Sequence, residues 1–386
     1  MKKLAIITTH PIQYYAPVFK LLAVQCNLKV FYTWGLEGAE AKVDKDLNKK
    51  IAWDIPLLDG YAYEFLENKA KEKGSHYFWG INNPDIIQGV KNFKPDAILV
   101  YGWAYYSHLK VFRYFKGKIP VWFRGDSHLI DSKPLWKKLA RKAILTWVYR
   151  YIDRAFYVGS ANKAYFKAFV LKEEQLVFAP HAVDNDRFAM DRNQEASELR
   201  QKFNIATNEI LILFAGKLET KKNPEFLQRV FIELSMKDAH LLFVGNGHLK
   251  KSLKSQVSNL KSQNIHFLDF QNQTQMPVVY QACDLFVLPS QGPGETWGLA
   301  INEAMACGKA ILVSEKVGCA ADLVQVGING EIFQANNEND LKKKLLNMVN
   351  DPIKLMEMGK MSRQLIQDWS FEKQAKQILN LLDETH

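Results

Sequence analysis

Leu285-Phe-Val-Leu288-Pro-Ser-Gln-Gly-Pro-Gly294-Glu295-Thr296-Trp297-Gly298-Leu299-Ala-Ile-Asn-Glu303-Ala-Met-Ala-Cys307-Gly308 is the stretch on which the fold turns. Four apolar residues read as a buried strand, the Pro/Gly-rich segment as a loop, and the run from Leu299 as a helix that Gly308 stops. Gly298 has no Cβ, so a ligand can approach the backbone at the helix start, where free N–H groups favour an anion. Two carboxylates flank that point, Glu295 on the loop and Glu303 about one turn inside the helix. The helix dipole accounts for Glu295 but poorly for Glu303. Hydrogen bonds to hydroxyls, one set on a sugar and one on a ribose, account for both.

The same strand–loop–helix unit recurs outward from this stretch. Glu209–Phe214, Leu241–Val244, Ile265–Phe267 and Ala310–Val313 read as further strands of one parallel sheet. Open sheets of this kind bind ligands at loops leaving the carboxyl ends of their strands. One such loop carries Gly216, Lys217, Lys221 and Lys222 ahead of Asn223-Pro224, a good N-cap and first helical residue. Lysines beside free helix N–H groups suit a diphosphate; a solvated Lys-rich loop is the alternative. The Gly245-Asn-Gly247 loop lacks the third glycine of a dinucleotide fingerprint and reads as a tight turn. Upstream, Leu4–Thr8, Lys29–Tyr32, Ala97–Val100, Pro120–Phe123 and Ala155–Val158 form a second series, with helices over Pro17–Ala23 and residues 133–152. At 386 residues the chain fits two domains of roughly 150–200 residues. The expected class is α/β, with two Rossmann-like domains facing each other across a cleft. Residues 1–184 form the first, 185–205 a linker, 206–365 the second, and 366–386 a C-terminal helix packing back on the first.

Glu295-x7-Glu303, with Gly298-Leu299 and Glu-Ala-Met-Ala-Cys-Gly behind it, resembles the signature of retaining glycosyltransferases of family four, which have the GT-B fold. Gly216-Lys217-Leu218 and Lys222 resemble that family's phosphate-binding segment. His181-Ala-Val183-Asp184 with Phe188, and Asp368-Trp369-Ser370-Phe371, are similar too. The resemblance covers residues 180–375 and is looser over residues 1–180. It implies transfer of a sugar, with retention and without metal, from a nucleotide-diphosphate sugar to a glycan or lipid-pyrophosphate-linked acceptor, in bacterial surface polysaccharide or glycoconjugate synthesis. Lys217 and Lys222 would neutralise the leaving diphosphate, Glu295 would touch the donor sugar, and the amides of Trp297 to Leu299 would meet sugar and phosphate. Glu303 would hold the ribose. Lys217 stands where arginine is usual, so a bidentate contact becomes a point charge. Thr296-Trp297 replaces the commoner Gly-Phe, which would reshape the sugar pocket. No cofactor and no metal are implied; Asp184-Asn-Asp186 has the look of a metal-binding triplet but falls at the linker. A sugar epimerase or phosphorylase of the same fold, or a non-catalytic nucleotide-sugar-binding protein, are the alternatives.

In the first domain, Thr9-His10-Pro-Ile-Gln13 follows the first strand, and His10 and Gln13 are candidate acceptor or sugar contacts. Arg124-Gly125-Asp126-Ser127-His128 follows the strand at Pro120–Phe123. Arg124 joins those contacts, while Asp126 or His128 is the candidate to meet the reacting sugar.

The formal charge is +10, and it is lopsided: residues 102–172 hold 15 basic side chains against Asp126, Asp131 and Asp153. Such a patch attracts anionic partners. Nucleic acid is excluded for want of a binding motif, leaving phosphate-bearing acceptors or an anionic membrane. Residues 131–154 interleave Lys133, Lys137, Lys138, Arg141, Lys142, Arg150 and Arg154 with Trp136, Leu139, Ile144, Leu145, Trp147 and Tyr151. That pattern suits a helix at a bilayer interface, or one that packs its apolar side on the sheet. No run reaches the roughly 20 apolar residues of a membrane span. Four cysteines without metal spacing fit a reducing compartment, so the expected location is cytoplasmic, at most peripheral to the membrane.

Overall fold

The computed structural model describes residues 1–39, 42–44, 49–130, 135–260 and 263–385. They divide into two units: Met1–Lys42, Lys50–His181 and Phe371–His386 form one, Val43–Lys49 and Ala182–Ser370 the other. Strands β1 (Lys3–Thr8), β2 (Asn27–Tyr32), β5 (Ala62–Phe65), β6 (Ala97–Tyr101), β7 (Val121–Arg124), β8 (Arg154–Tyr157) and β9 (Leu176–Phe178) build the first unit's sheet. Their order is β5-β2-β1-β6-β7-β8-β9, and every pairing is parallel. A two-stranded ribbon, β3 (Lys42–Asp44) with β4 (Lys49–Ile51), stands apart from it. The second unit's sheet uses β10 (Ile210–Ala215), β11 (Ala239–Val244), β12 (Ile265–Leu268), β13 (Leu285–Leu288), β14 (Ala310–Ser314) and β15 (Gly330–Phe333). It runs β12-β11-β10-β13-β14-β15, again all parallel.

Continuous apolar runs at the sheet centres explain this arrangement, because a strand covered by helices on both faces has no polar side. All six residues of β10 and all of β13 are buried. In the first unit, Ile7, Val100 and Phe123 pack into one core with Phe112 and Phe166 from flanking helices. Each sheet also reverses its winding at one point, between β1 and β6 in the first unit and between β10 and β13 in the second. Loops leaving two neighbouring strands diverge there and open a crevice, the place where such sheets bind ligands.

Residues 185–205, expected as a linker, instead form two helices, Asn185–Ala189 and Asn193–Lys202, within the second unit. Phe188 is wholly buried against Tyr280, their ring centroids 5.9 Å apart. The second helix packs on the helix Met276–Ala282. At the C-terminus a helix over Pro352–Leu365 ends in the turn Ile366–Asp368, and a separate helix, Phe371–Asp383, belongs to the first unit. It lies on the helix Ala16–Gln25 and on β9. Among the described residues no helix is long and apolar enough to cross a membrane.

Candidate active site

Loops after β10 and β13 meet at the second unit's switch point. The Gln291 backbone N–H donates to Lys221 O at 3.0 Å, and its side-chain amide donates to Thr220 O at 2.8 Å. This holds Lys222 against the opposite loop, where its Nζ lies 2.7 Å from Glu295 Oε2. Ser290 Oγ donates to the same oxygen at 3.3 Å. The pair is sheltered, with 15% of the lysine side chain and 10% of the glutamate exposed. Gly216 makes room for it: a Cβ there would lie 3.2 Å from Lys222 Cδ. Lys217 points to solvent on the same loop. Asn223 stands at the N-cap of the helix Pro224–Leu234, but its backbone is left-handed (φ 56°), and its side chain donates to Asn336 at 2.8 Å instead of capping.

The glycines here have packing reasons. A Cβ on Gly245 would lie 2.1 Å from Gly216 O, and one on Gly247 2.3 Å from Leu218 O. The Gly-x-Gly loop is therefore pressed onto the phosphate-type loop and keeps it in place. Gly298 is left-handed at φ 98°, and a Cβ there would lie 2.7 Å from Val317 Cγ1. The helix Leu299–Ala306 that follows has no side-chain cap and no acid in its first turn, so its positive end is uncompensated at that point.

Trp297 departs from the expectation that it shapes a sugar pocket. Its indole is buried, 5.2 Å from Trp369 between ring centroids, and Nε1 donates to Asn302 Oδ1 at 2.8 Å. It anchors the loop in the core, while Thr296 and Leu299 stay half-buried. Glu303 is also buried, and its Oε2 accepts from the Tyr280 hydroxyl at 2.8 Å. The Asp184-Asn-Asp186 triplet is local structure: Asp184 Oδ1 accepts from the Arg187 amide at 3.0 Å, capping a helix. Asn185 donates to Ile366 O at 3.1 Å and to Trp369 O at 3.4 Å, the second bond reaching the family-like segment at Asp368–Phe371. Among the described residues no group of three or more His, Cys, Asp or Glu could hold a metal ion.

The first unit has a pocket of its own, about 250 Å³, at the switch between β1 and β6. His10, Arg124 and Asp126 line it; Gln13 and His128 do not. His128 is buried, and its Nδ1 accepts the Ile130 amide at 3.2 Å. Arg124 lies at the end of β7 with 2% of its surface exposed. It donates to Ala179 O at 2.7 Å, to Pro180 O at 3.1 Å and to Gln374 Oε1 at 3.3 Å. Burial lowers its pKa. It thus braces the pocket wall rather than reaching out to a ligand. Asp126 is the accessible acid, its Oδ2 3.8 Å from His181 Nε2. Burial pulls the His181 pKa down, against the pull of Asp126. The Tyr15 hydroxyl is pushed up by burial and then by Asp126. Thr9, Tyr15, Tyr101, Tyr105 and His181 are also among the lining residues. Of these, the sequence marked only His181, within a family-like segment, and Thr9, beside His10; the three tyrosines were not singled out.

Residues 195–365 match the family model described as glycosyl transferases group 1. The match spans less than half of the chain and lies within the second unit, which therefore carries a group 1 glycosyl transferase segment. The chain is 24% identical over 267 residues to a GDP-mannose-dependent monoacylated alpha-(1-6)-phosphatidylinositol monomannoside mannosyltransferase of Corynebacterium glutamicum, covering 67% of each chain. It is 26% identical over 239 residues to the N,N'-diacetylbacillosaminyl-diphospho-undecaprenol alpha-1,3-N-acetylgalactosaminyltransferase of Campylobacter jejuni. The alignment covers 61% of each of those two chains, less than two thirds of the relative's length. The fold is that of Anabaena HepE, solved in complex with UDP and glucose, at a TM-score of 0.73 with 18% identity over 99% of this chain and 100% of that one.

Proposed function

We propose that this glycosyltransferase moves a sugar, with retention and without a metal ion, from a nucleoside-diphosphate donor to a glycan or lipid-pyrophosphate-linked acceptor in bacterial surface glycoconjugate synthesis. The observation that carries the donor half is the sheltered Lys222–Glu295 pair beside the uncapped start of the helix Leu299–Ala306. A lysine ammonium has three donors and Glu295 takes one, leaving the others for phosphate oxygens. Lys217 adds an exposed point charge. As the bond to the sugar breaks, negative charge grows on the diphosphate. Cations and helix amides already fixed around it lower that barrier without reorganisation. Glu295, held in place by Lys222, accepts sugar hydroxyls, and Glu303, oriented by Tyr280, takes the ribose.

In the first unit Asp126 is the residue for the reacting sugar or the acceptor hydroxyl, since it lines the pocket and His128 does not. The pocket falls below the roughly 300–1,000 Å³ typical of sites for whole drug-sized ligands, a size suited to one sugar unit. The relatives support an acceptor on a lipid, one name carrying a phosphatidylinositol mannoside and the other a diphospho-undecaprenol.

A membrane-facing surface agrees with this. The helix Leu135–Tyr149 buries Leu145, Val148 and Tyr149 yet exposes Trp136 (67%), Leu139, Ile144 and Trp147. Lys137, Lys138, Lys142 and Arg150 are exposed beside them. Asp131 and Lys133 lie outside the described residues. A helix that merely covered the sheet would have no reason to present two tryptophans to water.

Thermal-shift titration with UDP- and GDP-sugars tests the donor assignment, because ligand binding raises stability by RT ln(1 + [L]/Kd). One nucleotide series should shift the melting temperature, and NMR of the product should show the donor's anomeric configuration preserved. An inverted product would sink the retaining mechanism.

A further inference from the structure

Beside the first unit's pocket lies an aromatic surface that the donor chemistry does not use. Phe78 and Trp79 sit on a short loop, and Tyr106 opens the helix Tyr106–Phe115. Trp79 is 63% exposed and Tyr106 37%. Their ring centroids are 5.2 Å apart with planes inclined at 31°, and Phe78 stands edge-on to Trp79 at 4.9 Å. The pairing therefore forms a built platform and not two stray side chains. The loop is closed at its neck, where the Gly74 amide donates to Gly80 O at 3.0 Å. A Cβ on Gly80 would lie 2.1 Å from Gly74 O, so only glycine permits that closure.

Two links tie this platform to the pocket. Tyr105, next to Tyr106 in the chain, lines the pocket, and so does Ser75, on the same loop as Trp79. The two are joined, the Tyr105 hydroxyl donating to Ser75 O at 2.9 Å. A ligand that filled the pocket and continued outward past Tyr105 would meet Trp79 and Tyr106 next. The chemistry of that continuation is constrained. Two of the lysines on this segment are paired, Lys73 with Glu37 at 2.5 Å and Lys69 with Glu67 at 3.4 Å. A flat, amphipathic aromatic face suits a partner with an apolar face and polar edges. A pyranose ring has that form, its axial C–H groups on one face and its hydroxyls around the rim.

We propose that Phe78, Trp79 and Tyr106 form a carbohydrate platform that stacks on a sugar ring of the acceptor beyond the one in the pocket, so that the acceptor is an oligosaccharide. This rests on the reading of the first unit as the acceptor side of a glycosyltransferase. The prediction is preference for acceptors of two or more sugars, with discrimination lost when the platform is removed.

The test uses the full chain and saturation-transfer-difference NMR with maltotriose, α-1,6-mannotriose and chitotriose, against methyl α-glucoside, methyl α-mannoside and N-acetylglucosamine. At least one trisaccharide should receive saturation at ring C–H protons that its monosaccharide does not. Trp79→Ala and Tyr106→Ala should weaken that contact about tenfold, as expected for a well-packed aromatic contact. Trp79→Phe should keep most of it. Nucleotide binding, followed by thermal shift with UDP and GDP, should be the same in all four proteins. Absence of saturation for every trisaccharide, or saturation that survives Trp79→Ala, overturns the platform. So does a wild-type dimer or vesicle contact that Trp79→Ala abolishes, since the surface would then serve a second copy or a membrane. Failure of the wild type to bind either nucleotide would instead count against the transferase reading and leave the glycan result standing by itself.

Discussion

Lys222→Ala should damage the protein twice, and the two effects can be separated. The ammonium is 2.7 Å from Glu295 Oε2, and both side chains are largely withdrawn from water. Removing one partner of such a pair costs roughly 3–5 kcal/mol when the survivor is left fully buried and charged. Glu295 keeps the Ser290 hydroxyl at 3.3 Å and about a tenth of its surface in water. The expected loss is therefore nearer about 2 kcal/mol, read as a lower urea midpoint at unchanged slope. Turnover should fall about 10²-fold, the usual consequence of removing one preorganised electrostatic contact. Glu295→Ala combined with Lys222→Ala removes both charges, so stability should return to within about 1 kcal/mol of wild type, because the buried charge is no longer orphaned. Nucleotide binding and turnover should not return, because the sheltered cation is gone and exposed Lys217 alone is left to meet the diphosphate. Recovery of nucleoside-diphosphate binding in the double variant, by thermal shift with UDP and GDP, would refute the assignment. Lys222 would then serve only to neutralise Glu295.

Other parts of the site carry their own expectations. Glu303→Ala should cost about 10²-fold in turnover, and Tyr280→Phe should weaken nucleotide binding less, since the carboxylate remains but loses its hydroxyl donor at 2.8 Å; equal activity of both variants and wild type removes the ribose role. Turnover should persist in excess EDTA; loss that Mg²⁺ or Mn²⁺ restores would reject the metal-independent mechanism. Anionic vesicles should pellet the protein at low salt and neutral vesicles should not, each of Lys137, Lys138, Lys142 and Arg150 adding about 1 kcal/mol near the surface; pelleting that Lys137→Glu with Lys138→Glu leaves intact argues against that face. Stability should fall with acid because burial lowers the His108 pKa to about 4 from an ordinary 6.5. Its Nδ1 lies 2.8 Å from Gly102 O and its Nε2 2.9 Å from Thr33 Oγ1. The unfolded chain takes a proton as pH drops through 6.5 and the folded one does not until about 4. The stabilisation is thus present above 6.5 and lost progressively below it, by about 2 kcal/mol between pH 7.5 and 5.0. His108→Gln should flatten that slope in urea midpoints; an unchanged slope places the acid sensitivity elsewhere.

Central strands were legible because they are continuous apolar runs, and their limits agree within two residues: Leu4–Thr8 became Lys3–Thr8, Leu241–Val244 became Ala239–Val244. Edge strands were not. Ala62–Phe65 contains a glutamate and has no buried residue, and Leu176–Phe178 is only half-buried, so neither shows the pattern that marks a covered strand. Residues 185–205 looked like a linker because the helix Asn193–Lys202 buries Ala196 and no other side chain fully. A polar helix held largely through polar contacts, such as Arg200 donating to Ala282 O and Asp284, leaves almost no periodic signal.

In the site, the residues that sequence could place were those whose chemistry is local to one loop: the lysines after β10, the glutamates either side of Gly298, and the acid after β7. What it could not place was the direction in which a side chain is used. Arg124 looked like a ligand contact because a cation follows a buried strand, but its guanidinium is turned onto Ala179 O, Pro180 O and Gln374, residues 55 to 250 positions away. Trp297 looked like a pocket wall because it replaces a smaller aromatic in the donor loop, yet it is held in the core by Asn302 and Trp369. Both roles follow from partners brought in by the tertiary fold. Both substitutions should accordingly act through stability and loop position. Trp297→Phe loses the 2.8 Å bond to Asn302, a cost of about 1 kcal/mol. Nucleotide affinity should decline only as far as the loop loosens. A Trp297→Phe protein of unchanged urea midpoint but altered donor preference would restore the indole to the sugar pocket and contradict its burial as the reason it is there.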